Sequence, residues 1–174
     1  MNDFTTGNRE APGETRSIAQ SLLAQLQGHG IDAELLTPGV PMPTVPLAAA
    51  AIGVHEERII KSLLFCDRQD ECILAIASGT ARIDRDLLSK ATGLDRPRLA
   101  DPATVLVKTG YPAGGVAPVG HATAVRVVID RRAAELDVVY GGGGAEDVLL
   151  RISPRDIIRL TSAEIVDIVA FDER

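Results

Sequence analysis

Aromatic residues are almost missing from this chain: no Trp, two Tyr and three Phe among 174 residues. Its core is therefore expected to be aliphatic, built from Leu, Ile, Val and Ala. Cysteine is nearly as scarce. Cys66 and Cys72 are too few for the disulfide framework of a small secreted domain, and they read as small core residues that bracket a hairpin. No apolar run approaches the ~20 residues that a membrane span requires. The opening Met1-Asn2-Asp3-Phe4-Thr5 has neither the basic nor the apolar stretch of a signal peptide. Positive charge is also in deficit, since 18 Lys and Arg against 24 Asp and Glu leave a net −6. That balance argues against long-range attraction to duplex DNA and leaves room only for a local basic pocket. A reducing, cytoplasmic setting without membrane contact is expected.

What the chain does have is an ordinary globular composition, 45% hydrophobic and 24% charged, and a length suited to one domain. Residues 1–13 lack periodicity and read as a disordered leader, leaving 14–174 as the folded unit. From Thr15 the apolar spacing Ile18, Leu22, Leu23, Leu26 predicts a helix stopped by Gly28 and Gly30. Ile31 to Leu36 reads as a short strand, and the proline-rich stretch 37–43 as an extended connector. Thr44 is placed to cap a helix that Gly53 closes. Ile59 to Cys66 and Cys72 to Ala77 read as a hairpin across Asp67-Arg68-Gln69-Asp70-Glu71. Asp84, Asp101-Pro102 and Ser153-Pro154 mark further helix starts. A strand from Ala124 ends at Asp130, a second hairpin has Gly141–Gly144 as a flexible tip, and Ile165 to Val169 forms the last strand. Hairpins dominate over crossovers, so a mixed sheet in an α+β fold is expected.

Lys61 is the most unusual residue, a lysine inside an apolar strand. Either it snorkels from the solvent face, or it faces a pocket and binds a phosphate, a carboxyl group or a developing oxyanion. Strand alternation turns Ser62 to the opposite face. The loop Gly110–Gly120 has the glycines that let backbone N–H groups approach a ligand, yet it lacks the context of a P-loop or dinucleotide fingerprint. His29, His55 and His121 form no metal-type spacing, and only His121, next to the loop, is placed near a pocket. Cys66 and Cys72 sit in no recognisable nucleophile motif, and there is no Gly-x-Ser-x-Gly elbow.

Taken in order, Thr44-Val45-x-x-Ala48-Ala49, Ile52-Gly53-Val54, the strand Ile59–Phe65 around Lys61, Ser78-Gly79, Arg82-Ile83-Asp84, Thr109-Gly110-Tyr111, Gly114-Gly115-Val116-Ala117-Pro118-Val119-Gly120 and Ile129-Asp130 resemble the YbaK/EbsC-like family. This family is also called the prolyl-tRNA synthetase-associated or trans-editing domain. The resemblance runs from about Ile18 to Val169. It implies a mixed, barrel-like sheet flanked by helices in a single domain. It further implies a deacylase that hydrolyses the ester of a mischarged tRNA in trans, most often tRNA(Pro) carrying Ala or Cys, without a cofactor, a metal or an enzyme nucleophile. Lys61 and Gly115 would then be the catalytic positions. Thr44, Val45, Ser62, Ser78, Gly114, Pro118, Gly120 and His121 would bind substrate, and walls near Val45, Leu63 and the loop would sieve the amino acid by size. The partners implied are the acceptor end of an aminoacyl-tRNA, aided by Arg82, Arg96, Arg98 and Lys108, and a synthetase that supplies it. A module that binds a tRNA end or a nucleotide without turnover is the alternative.

Overall fold

The computed structural model describes residues 12–170. In chain order the elements are α1 (Pro12–Gly28), β1 (Glu34–Leu36), α2 (Val45–Ile52), β2 (Ile60–Cys66), β3 (Cys72–Ser78), α3 (Arg85–Thr92), β4 (Arg98–Leu99) and α4 (Pro102–Thr109). They continue with β5 (Arg126–Asp130), α5 (Arg131–Ala134), β6 (Val139–Gly142), β7 (Leu149–Ile152), α6 (Pro154–Thr161) and β8 (Glu164–Val166). Most of these helices have eight residues, too short to persist alone, so their ends are set by caps. Thr44 accepts from the Leu47 N–H, Asp84 from those of Asp86 and Leu87, Asp101 from Thr104, and Ser153 from Asp156. Gly53, Gly93 and Gly110 close α2, α3 and α4 in the left-handed conformation. His55 caps a single 3₁₀ turn, Glu56–Arg58, that leads into β2. Of the expected leader, Pro12 and Gly13 lie in the first turn of α1; the remainder lies outside the described residues.

The strands form a five-stranded mixed sheet, ordered β4-β2-β3-β5-β8, and a three-stranded antiparallel sheet, β1-β7-β6. β2 runs antiparallel to β3 and β4, whereas β5 runs parallel to β3 and β8. The sheets touch through one parallel bridge, Ile59 to Tyr140. The α+β single domain is therefore as expected, but the sheets do not close into a barrel: beyond that bridge, no strand pairing among the described residues joins one sheet's edge to the other's.

β3 is buried on both faces, with Ile73 to Ala77 all at 3% exposure or less. One face meets Leu22, Leu26, Leu150, Ile152 and Ile157; the other meets Phe65, Leu88, Leu94 and Ile168. Phe65 and Tyr111 are the aromatic residues of this otherwise aliphatic core.

Two expectations need correction. Cys66 and Cys72, opposite each other in the last register of the β2–β3 hairpin, are joined by a disulfide rather than lying free in the core. The tetraglycine is not a flexible tip, because Gly141 and Gly142 belong to β6 and are held against other parts of the chain. Closing so short a loop removes about 2 kcal/mol of denatured-state freedom. Reduction, or the paired Cys66→Ser and Cys72→Ser changes, is expected to lower the melting midpoint by about 4–8 °C, read by thermal denaturation with and without a reductant.

Candidate active site

Alternation along β2 puts Ile60, Ser62 and Leu64 on one face and Lys61, Leu63 and Phe65 on the other. Ser62 is thus buried away from Lys61, and its Oγ has no hydrogen-bond partner among the described residues. On the Lys61 face, Ile59 belongs to the apolar cluster under α2, with Ala48, Ala49 and Val45, while Leu63 belongs to the cluster under α3. Lys61 stands in the gap between the two, opposite Ala77 in the ladder. The side chain is half-buried and has no carboxylate partner among the described residues. Burial without a counter-charge lowers its pKa from the ordinary 10.5.

Several segments singled out by the sequence converge at this end of β2. Thr44 caps α2 and thereby turns Val45 against Gly79, whose missing side chain leaves the room; a Cβ there would lie 2.5 Å from Val45 Cγ2. The Gly79 N–H donates to the Ile59 carbonyl at 2.5 Å, and the Ser78 hydroxyl to the Glu57 carbonyl at 3.1 Å. On the other side β6 runs beside β2. Ile59 bridges Tyr140, and Gly141 faces both Ile60 and the Pro118 ring. A side chain on the next residue, Gly142, would overlap the Val116 carbonyl and meet the Gly115 backbone. The glycine-rich loop thus packs directly on β6, and its Val116, Ala117 and Val119 join Ile60 and Leu64 in one apolar cluster.

That loop is rigid. The Tyr111 hydroxyl lies 2.8 Å from the Val119 carbonyl and 3.0 Å from that of Gly120, and donates to them. His121 Nε2 donates to the Ala117 carbonyl at 2.9 Å, which assigns the Nε2–H tautomer, and its ring meets Tyr111 edge-on. The Gly144 N–H donates to the Gly115 carbonyl, and the Gly115 N–H to that of Pro112. Gly115 is glycine because any Cβ would run into the Ala145 backbone at 2.9 Å; Gly120, at φ +73°, would meet the Tyr111 hydroxyl at 2.8 Å. Gly114 is exposed at φ +91°. The Gly115 N–H is thus occupied, while those of Val116 and Ala117 have no partner among the described residues. Buried backbone donors are nearly always paired, so two adjacent free ones form a natural cradle for a carbonyl oxygen or oxyanion.

Burial pushes the His121 pKa down, and the Ala117 carbonyl partly opposes this. Arg82, Arg96 and Arg98 line a single groove with Arg85, which the sequence reading missed, whereas Lys108 ends α4 elsewhere. Asp130 caps α5 and accepts from the Ile168 N–H, a structural role. Among the described residues no group of His, Cys, Asp and Glu could hold a metal ion, and no helix is long and apolar enough to cross a membrane. Tyr111 and Gly142 were also missed as builders of the site, because their work depends on long-range contacts with Val119 and Val116.

Residues 40–160 match the aminoacyl-tRNA editing domain, and the chain belongs to that family. It is 32% identical to the uncharacterised protein YwhH of Bacillus subtilis (strain 168), over 70% of this chain and 77% of that one. Against the proline–tRNA ligase of Stenotrophomonas maltophilia (strain R551-3) it is 28% identical across 97% of its own length, but spans only 30% of the ligase. A solved structure described as a proposed trans-editing enzyme for prolyl-tRNA synthetase superposes with a TM-score of 0.78 at 29% identity, covering 93% of this chain and 99% of the other.

Three outcomes follow from this geometry. A lysine whose pKa is lowered on folding weakens the native state wherever it is charged, and that cost fades as pH rises through the folded pKa toward 10.5. Lys61→Met should therefore raise the melting midpoint at pH 7, with the gain shrinking as pH rises toward 10.5; a fall instead would identify a structural lysine. His121 has the same sign, lower on the pH scale. Its contribution is complete above pH 6.5 and is lost as pH falls through its lowered pKa, so melts between pH 7 and 4 should show an acid loss that His121→Gln diminishes. Gly142→Ala should cost about 1–3 kcal/mol through overpacking against Val116, measured by denaturant unfolding.

Proposed function

We propose that the protein is an aminoacyl-tRNA hydrolase that clears a mischarged tRNA in trans, with tRNA(Pro) carrying Ala or Cys as its substrate and the cytoplasm as its setting. The observations that support this reading are an unpaired, half-buried Lys61 and, in the loop packed on β6, the free N–H groups of Val116 and Ala117, which the reading brings to one substrate. In the proposed reaction the aminoacyl carbonyl points its oxygen at those two donors. Water adds to the carbonyl carbon, and the negative charge that gathers on the oxygen is met by fixed dipoles. The bond to the ribose oxygen then breaks, and a proton delivered to that oxygen gives the free amino acid and the 3′ or 2′ hydroxyl. Lys61 holds the phosphate of the terminal nucleotide or adds its charge to the oxyanion. Gly115 sets the loop against Ala145, and Gly114, Pro118 and Gly120 shape it. Thr44, Val45, Ser78 and Leu63 form the wall on the amino acid, Ser62 supports it from the core, and His121 holds the loop.

The likeness to the proposed trans-editing structure supports action in trans, and the ligase relatives support a prolyl-tRNA synthetase as the partner that supplies the substrate. The decisive experiment follows ester loss from tRNAs charged with Ala, Cys, Ser, Thr and Pro. Wild type is expected to clear Ala- or Cys-tRNA(Pro), and Lys61→Ala to slow this at least 100-fold while remaining folded. A folded wild type that binds these tRNAs but hydrolyses none would instead establish the non-catalytic binding module.

A further inference from the structure

Five arginines are tied to carboxylates: Arg58 holds Asp137, Arg126 holds Glu164, Arg131 holds Asp167, Arg151 holds Asp32 and Glu34, and Arg159 holds Asp156. Four others gather in one place. Arg82, Arg85, Arg96 and Arg98 line one groove of about 580 Å³ at the start of α3, and none has a carboxylate partner among the described residues. Acids are within reach of the groove but do not neutralise them. Asp84 turns its carboxylate to the Asp86 and Leu87 N–H groups, and Asp86 forms no ion pair. Four exposed guanidinia share the groove with two carboxylates, Asp84 and Asp86, which leaves a local excess of positive charge in a chain of net charge −6, and that excess favours an anion.

The backbone adds a second observation. Arg96 stands at φ +48°, in the left-handed region that glycine or asparagine fills most easily, and it precedes Pro97, which further narrows its choices. A residue with a large side chain holds a position where glycine would fit better. That is the pattern of a side chain retained for what it contacts.

The groove also has a defined place. Ile83, at its floor, belongs to the same apolar cluster as Leu63 and Ala77, the neighbours of Lys61 on the same face of the five-stranded sheet. We infer that Arg82, Arg85, Arg96 and Arg98 form a phosphodiester-binding groove that holds the RNA backbone leading to the Lys61 site. This rests on the editing reading for the identity of that RNA. The planar, forked guanidinium suits phosphate oxygens, and the N-terminus of α3 adds its partial positive charge. Concentrating cations here reconciles RNA binding with an acidic protein.

The test uses an uncharged RNA hairpin with a single-stranded 3′ tail, its binding followed by fluorescence anisotropy across salt concentrations. Four phosphate contacts make affinity fall about 50- to 150-fold between 50 and 200 mM salt, and changing all four arginines to Gln should abolish most of that dependence. Arg96→Gly separates folding from binding. It relieves the left-handed backbone, so its melting midpoint should hold or rise while the salt slope drops by about one. Unchanged affinity and slope in the fourfold variant overturn the groove, as does equal competition by polyglutamate. Arginine-dependent RNA binding without hydrolysis of any mischarged tRNA overturns the editing reading alone and leaves the groove standing.

Discussion

Backbone packed on backbone is the constraint on which the rest of this structure depends. Gly141 and Gly142 bring β6 so close to Pro118, Val116 and Gly115 that a single methyl group at Gly142 would overlap the Val116 carbonyl. The contact does three things at once. It joins the small sheet to the large one beside the Ile59–Tyr140 bridge, it fixes the height of the 115–119 loop, and it sets the Gly144 N–H on the Gly115 carbonyl. A side chain at Gly142 would push the loop off β6. Glycine here serves close approach, which is why a composition that suggests flexibility yields one of the least yielding parts of the molecule.

Electrostatics divides the surface in two. Where an arginine meets a carboxylate, as at Arg126–Glu164 or Arg131–Asp167, the exposed pair adds little stability and its charge is spent locally. Lys61 and the four arginines of the α3 groove keep theirs. Four of these cations line one groove, so the net −6 says little about what that groove attracts. Local arrangement, not total charge, governs contact with an anion once the partner is within a Debye length, about 10 Å at 0.1 M salt.

Much of this was legible before the structure. Thr44, Asp84, Asp101 and Ser153 cap helices as their chemistry requires, and the β2–β3 hairpin keeps the register its apolar pattern implied. Lys61 and the loop were picked out by oddity and by resemblance, since a cation in an apolar strand and repeated glycines conflict with local propensity. What stayed hidden depended on distance along the chain. The pairing of Cys66 with Cys72 needed the exact register, because a shift of one residue would have turned the two sulfurs apart. The role of Gly142 needed Val116, 26 positions earlier. The loop donors fall at Val116 and Ala117, not at Gly115, because the Gly115 N–H already closes a turn with Pro112. Barrel closure failed for a related reason: with a single bridge between β2 and β6, the strand pairs do not encircle the core.

Rigidity of the loop bears on how such a site would select. A pocket wall made of side chains can rotate to admit an extra methylene, and binding alone then discriminates by only ~1–3 kcal/mol. The wall here is the main chain of residues 115–119, buried and held by the Tyr111 hydroxyl, by His121 and by the Gly144 N–H. Admitting a larger group means displacing this backbone against β6, and that displacement is opposed by the same overlap that forbids a methyl group on Gly142. Exclusion by size therefore draws on the packing of the whole seam, and tightness at the site and stability of the fold rest on the same contacts.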